Sequence, residues 1–170
     1  MRYMLTPQDQ QTLLADLEAT PAFLEATFGQ LSPADITRRG PGDTFSPVEH
    51  AWHLADLERE GYAVRIRRLI AEDDPELLGF DGARIAQERD YRSLDLPAAI
   101  QAFREARAAN VRALRALTDE EWLRPGSQEG VGKLTLCDLP TMMAVHDLGH
   151  RQEIEAWLAA RPAHELGQPG

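Results

Sequence analysis

Two histidines four residues apart, His146 and His150 in MMAVHDLGHRQEIEAW (142–157), constrain this chain more than any other feature. At 3.6 residues per turn a helix stacks both imidazoles on one face, close enough to grip a single metal ion. A third donor has to come from elsewhere, and the comparable cluster is EHAWHLADLE, far earlier in the chain, with His50 and His53. A fold that uses the pair must therefore bring two distant helices together.

The helix signals are consistent with that demand. Thr6-Pro7 pairs a capping residue with a proline at the first helical position, and Leu13, Leu14 and Leu17 follow at helical spacing. Thr20-Pro21 is expected to kink or restart this helix, which continues through Phe23, Leu24, Phe28 and Leu31 until Gly40-Pro41-Gly42 imposes a loop. Ser46-Pro47-Val48-Glu49 is a capping box that starts a second helix, with His50 and His53 near one end and Glu72-Asp73-Asp74-Pro75 closing it. Gly61 inside it hints at close packing, at a cost of about 1 kcal/mol relative to alanine.

Residues 72–96 are polar and rich in turns; GARIAQERDY could form a short helix, and the stretch a lid or crossover. Pro97 opens a third helix with Ile100, Phe103, Val111, Leu114 and Leu117 on one face, while Arg104, Arg107, Arg112 and Arg115 read as a solvated face. Thr118–Glu121 is another capping box presenting Trp122, and RPGSQEGVGK reads as a loop. The last helix begins near Pro140 and runs to about Ala160, where Arg161-Pro162 stops it; the tail, with His164, reads as disordered. With no convincing strand, the expected architecture is an all-α, up-and-down four-helix bundle forming a single domain over residues 1–170, with its core in 6–160.

Composition narrows the function classes. Eighteen basic against 28 acidic residues leave a net charge of -10, which disfavours phosphate-driven nucleic-acid binding and attraction to an anionic membrane. No apolar run reaches the length of a membrane span and the first residues do not read as a signal peptide, so a cytoplasmic location is expected. The single cysteine, Cys137, excludes an intrachain disulfide and reads as a buried small residue.

In a bundle, metal sites are built from inward-facing side chains of neighbouring helices. His53 with His146 and His150 would make a three-histidine set suited to zinc, nickel or iron, with a coordination position open for water or substrate. His50, three residues before His53, could compete for the ligand role, and spacing does not choose between them. Asp56 and Glu49 flank His53 at helical offsets and Glu153 follows His150, so each could orient a ligand or serve as a base. Trp52, Trp122 and Trp157 read as core anchors, with Trp52 a candidate pocket wall.

FSPVEHAWHLADLEREG, FDGARIAQERDY and LPTMMAVHDLGHRQEIEAW together resemble the DinB/YfiT-like superfamily, over roughly Phe45 to Trp157. The resemblance implies a four-helix bundle, commonly a homodimer, with a divalent metal held by one histidine of the second helix and two of the last. Carried over by position these are His53, His146 and His150, because His53-Leu54-Ala55-Asp56 matches the family's His-Leu motif followed by an acidic residue. It further implies a thiol S-transferase of the bacillithiol-dependent kind, taking a small thiol and an electrophile. The alternatives are a hydrolase that activates water with the same ion, and a non-catalytic, stress-related metal-binding protein.

Overall fold

The computed structural model describes residues 5–162. His164 and the rest of the tail from residue 163 lie outside them, as do the first four residues. Helix α1 spans Pro7–Phe28, with Thr6 and Asp9 forming a reciprocal cap. It runs unbroken through Pro21, where a kink or restart was expected. Proline has no N–H to offer the carbonyl four residues back. That carbonyl, of Leu17, instead accepts a hydrogen bond of 2.9 Å from Arg107 Nη1, so the interruption is repaired from another helix.

A short helix α2, Pro33–Ile36, lies in the connection expected to be irregular, capped by Ser32. The capping box at Ser46 then starts α3 (Pro47–Asp56), which passes without a break through a π-helical segment, Leu57–Tyr62, into α4 (Ala63–Ala71). Gly61 lies in the wide segment, where an added Cβ would fall 2.6 Å from Leu57 Cδ1, so the packing there is close. After strand β1 (Glu76–Leu77) comes α5 (Gly82–Glu88), the helix anticipated in GARIAQERDY. The remaining helices are α6 (Leu96–Arg115), α7 (Asp119–Trp122) and α8 (Leu139–Ala159).

The expectation of no strand is corrected. Strands β2 (Pro125–Gln128) and β3 (Gly132–Thr135) form an antiparallel hairpin, and β1 adds to β2 in parallel. RPGSQEGVGK hides this because its strands are short and lack apolar alternation; Gly130 and Gly132 adopt φ of 78° and 95° at the turn, a region that suits glycine.

Helices α1, α3–α4, α6 and α8 make the expected four-helix bundle. α3 packs on α6, α6 on α1 and α1 on α8, which sets α1 and α3 across the bundle from each other. Backbone packing between α8 and α3 is sparse, and the histidine side chains span that side. Two apolar clusters fill the interior, one around Leu14, Leu69, Leu114 and Met143, the other around Leu24, Ala55, Phe103 and Ile154. A buried polar layer lies along the helices between them.

Arg107 is the centre of that layer and a second correction: it is 1% exposed, not part of a solvated face. It pairs with Glu58 at 2.7 Å and with both oxygens of Asp147 at 2.7 and 2.9 Å, while Asn110 donates to Glu58 at 2.8 Å and Thr20 to Asp147 at 2.7 Å. Arg112 and Arg115 are exposed as expected, the latter bonded to Glu18. Among the described residues no helix is long and apolar enough to cross a membrane.

Candidate metal centre

Helix α3 brings His50 and His53 to the gap facing α8, and α8 presents His146 and His150 from the other side. The Nε2 atoms of His53 and His146 are 3.2 Å apart, as are those of His146 and His150. The ligand atoms of His53, His146 and His150 all lie within 4.8 Å of one another. A tetrahedral ion with metal–nitrogen bonds of about 2.0–2.1 Å spaces its donors by about 3.3 Å, which the two 3.2 Å separations match. The donor set fits a divalent metal.

His50 enters the same cluster in a different role. Its Nδ1 lies 2.8 Å from His150 Nδ1, hydrogen-bonding distance, and its Nε2 is 3.8 Å from the half-exposed Glu153 carboxylate. His50, His150 and Glu153 form a second group close enough to share an ion. Sequence spacing left His50 and His53 as competitors; the fold puts both imidazoles against α8, with only His53 facing the Nε2 side of the pair.

Burial sets the protonation of the cluster. It pushes His50 down to about 3, with His53 adding to the effect, and His53 down to about 4, with His146 lowering it further and Asp56 opposing. His146 and His150 are also lowered, chiefly by burial. All four imidazoles are therefore neutral near pH 7, the state in which they have lone pairs for a metal.

Aromatic rings and one glycine hold the cluster. Phe45 packs against His50, His53 and His150 with centroids 5.6, 5.5 and 6.4 Å away, and Phe80 lies 6.0 Å from His53. Gly82, the first residue of α5, lies so close that a Cβ would fall 2.4 Å from His53 Cε1 and 2.6 Å from its Nδ1. The 72–96 connection is thus a wall of the site. No spacing rule signals Gly82, because its neighbour is 29 positions away in sequence.

The flanking carboxylates are mostly engaged elsewhere. Asp56 accepts from Tyr91 OH at 2.5 Å, Arg59 at 2.5 Å and Arg89 at 2.7 Å, and does not orient His53. Glu49 caps Ser46 and pairs with Arg39. His53 Nδ1 and His146 Nδ1 are buried without a hydrogen-bond partner among the described residues. Glu153 alone of the three candidates approaches a histidine. Its carboxyl is raised by burial.

Trp122 and Trp157 are buried as anchors, but Trp52 turns away from the site, donating to the Asp95 carbonyl and lying on Tyr91. Cys137 is only partly buried, 3.8 Å from Gln10 Nε2. A cavity of about 1020 Å³ opens onto His53 and His146 between Tyr62, Arg65, Phe80 and Met142. A small molecule entering it would reach the His53 and His146 side chains.

A family model described as the DinB superfamily matches residues 16–154. The fold is similar to YfiT from Bacillus subtilis, described as a probable metal-dependent hydrolase with an unusual four-helix bundle topology, at a TM-score of 0.85 and 18% identity over 92% of this chain and 90% of that one. It is also similar to the mycothiol-dependent maleylpyruvate isomerase, at a TM-score of 0.72 and 11% identity over 92% of this chain and 64% of the isomerase. This chain therefore spans less than two thirds of the isomerase. No curated protein sequence matches.

Proposed function

The chain belongs to the DinB superfamily, and from that premise we propose that it is a thiol S-transferase dependent on a divalent ion, zinc, nickel or iron, held by His53, His146 and His150. The observation that carries this reading is the cavity, which opens on two of these three imidazoles while Asp56 and Glu49, the carboxylates spaced to serve His53, are committed to other partners. Three neutral donors add no negative charge, so a bound ion keeps its full charge and would supply the acidity that ionises a thiol of ordinary pKa about 8.5.

The protein's own residues then have separate tasks. His53, His146 and His150 fix one open position towards the cavity. Phe45 and Phe80 limit water around the imidazoles, and Leu57, Met142 and Val145 give the cavity apolar walls for an electrophile. In the reaction a bacillithiol-like thiol loses its proton to solvent, its sulfur forms a bond to carbon, and the leaving group departs with the electron pair of the broken bond.

The test joins elemental analysis of untagged protein with His150→Ala and an assay of conjugate formation. One ion per chain, lost in the variant together with thiol-dependent product, is expected. Product that forms equally well without thiol would move the assignment to hydrolysis by the same ion, where Asp81 or Glu129 in the cavity wall would have to act as base. Stoichiometric metal without turnover of either kind would leave a non-catalytic metal-binding protein.

A further inference from the structure

The cavity beside the histidines contains a cation with no counter-charge among the described residues. Arg65, on α4, is 5% exposed; its Nη2 donates a 3.3 Å hydrogen bond to the Leu78 carbonyl and its Cζ lies 5.4 Å from the centre of the Tyr62 ring. Its Nε is buried with no partner, and no carboxylate lies within ion-pair distance among the described residues. Arg107, buried to 1% exposure, has two carboxylates. A desolvated guanidinium is ordinarily paired, since burying an isolated charge is costly.

The other charged groups of the cavity do not supply the missing partner. Asp81 caps α5 through the Arg84 amide and lies 3.8 Å from the Arg84 side chain. Glu129 accepts from the Gly79 amide at 3.1 Å. Arg84 is exposed and faces Asp81 and Glu88. Burial lowers the Arg65 pKa and no carboxylate opposes it. Gln128, also in the lining, has its Oε1 buried without a partner among the described residues.

The π-helical segment explains why this arginine is here. Counted at about 100° per residue, Arg65 would point some 120° away from His53. A π-turn inserts one extra residue, which returns Arg65 to within about 20° of the His53 direction. Both side chains line the same cavity, as do Leu57 and Tyr62 from the segment between them.

We propose that Arg65 anchors a carboxylate of the ligand that fills this cavity, so that the molecule presented to the histidines is a small acid. A planar carboxylate matches the guanidinium fork and would supply the counter-charge. The proposal rests on the thiol-transferase reading only for the identity of the group that faces the metal.

The experiment uses full-length protein loaded with cobalt(II), whose sulfur-to-metal absorption reports thiol binding. Mercaptoacetate, 3-mercaptopropionate and 4-mercaptobutyrate are each titrated against the neutral mercapto-alcohol of the same length, in native protein, Arg65→Gln and Arg65→Lys. Succinate and glutarate are titrated calorimetrically into metal-free protein. At least one acid is expected to bind about ten- to hundredfold more tightly than its alcohol. In Arg65→Gln the preference disappears and alcohol affinity is unchanged. Arg65→Lys retains part of it.

The thermal midpoint of Arg65→Gln should equal or exceed that of native protein, because an unpaired buried charge has been removed; a structural role would lower it. Equal affinity for acid and alcohol at every length, or a preference that survives Arg65→Gln, overturns the proposal. Absence of any thiol signal, with dicarboxylate binding still dependent on Arg65, removes the thiol reading and leaves the anchor. Absence of both removes the anchor too. Should Arg65→Gln fail to fold, Arg65→Lys decides: an undiminished preference for the acid overturns the forked contact.

Discussion

His50 Nδ1 and His150 Nδ1 meet at 2.8 Å across the gap between α3 and α8. Were Nε2 of His150 to hold the proposed ion, its proton would reside on Nδ1 and be donated to His50. The His50 proton would then sit on Nε2, the atom 3.8 Å from Glu153. In that arrangement His50 would orient the proposed ligand His150, a role usually held by a carboxylate or a backbone carbonyl.

Replacing His50 with alanine should lower metal affinity by about 10- to 100-fold while the helical circular dichroism stays unchanged. His50→Asn, which keeps an acceptor, should recover part of the loss. Chelator competition measures both; affinity equal to the native protein in His50→Ala would show that His150 needs no such support.

Gly82→Ala tests the wall of the site. The new methyl group would enter the His53 ring, held from other directions by Phe45, Phe80 and His146. Metal affinity should drop about tenfold or more as the ligand is displaced, with little change in the apo-protein's thermal midpoint. A large fall in that midpoint with unaltered metal affinity would place the role of Gly82 in the fold instead.

Arg107→Met should destabilise the protein by about 3–5 kcal/mol, since it strands Glu58 and Asp147 together in the interior. It also leaves the Leu17 carbonyl without its donor. Adding Pro21→Ala restores an amide to that carbonyl, and should recover about 0.5–1.5 kcal/mol more in the Arg107→Met background than in native protein. Denaturant titration of the four proteins gives the coupling.

Stability of the metal-free protein should be constant above about pH 7.5 and fall as the pH drops from there towards about 3. In this window unfolded histidines, with pKa about 6.5, take up protons. Native His53 takes up its proton only near pH 4, and His50 only near pH 3. The unfolded state then binds more protons, so stability increases with pH across that range. Replacing His50 and His53 with phenylalanine should flatten the acid limb of a urea-midpoint profile; an identical slope would assign it to other groups.

Much of the fold was legible from local signals. The caps at Thr6, Ser46 and Thr118 are made by the residues the motif requires, and α3, α6 and α8 begin within about a residue of the proline signals, because capping is decided within one turn. The hairpin after Arg124 was not legible, since its pairing and not its apolar pattern defines it. Arg107 was misread because helical spacing gives a face but not what lies opposite; Glu58 and Asp147 come from two other helices.

The sequence alone determined that His146 and His150 share a helical face, and that a second histidine pair lies on a helix that starts at Pro47. Those are consequences of 3.6 residues per turn and of local caps. Only the tertiary structure brought the pairs together, set His50 behind His150, laid Gly82 on His53, and rotated Arg65 through a π-turn into the cavity. These relationships depend on how separate segments pack and on one extra residue in a helical turn, neither of which a regular spacing encodes.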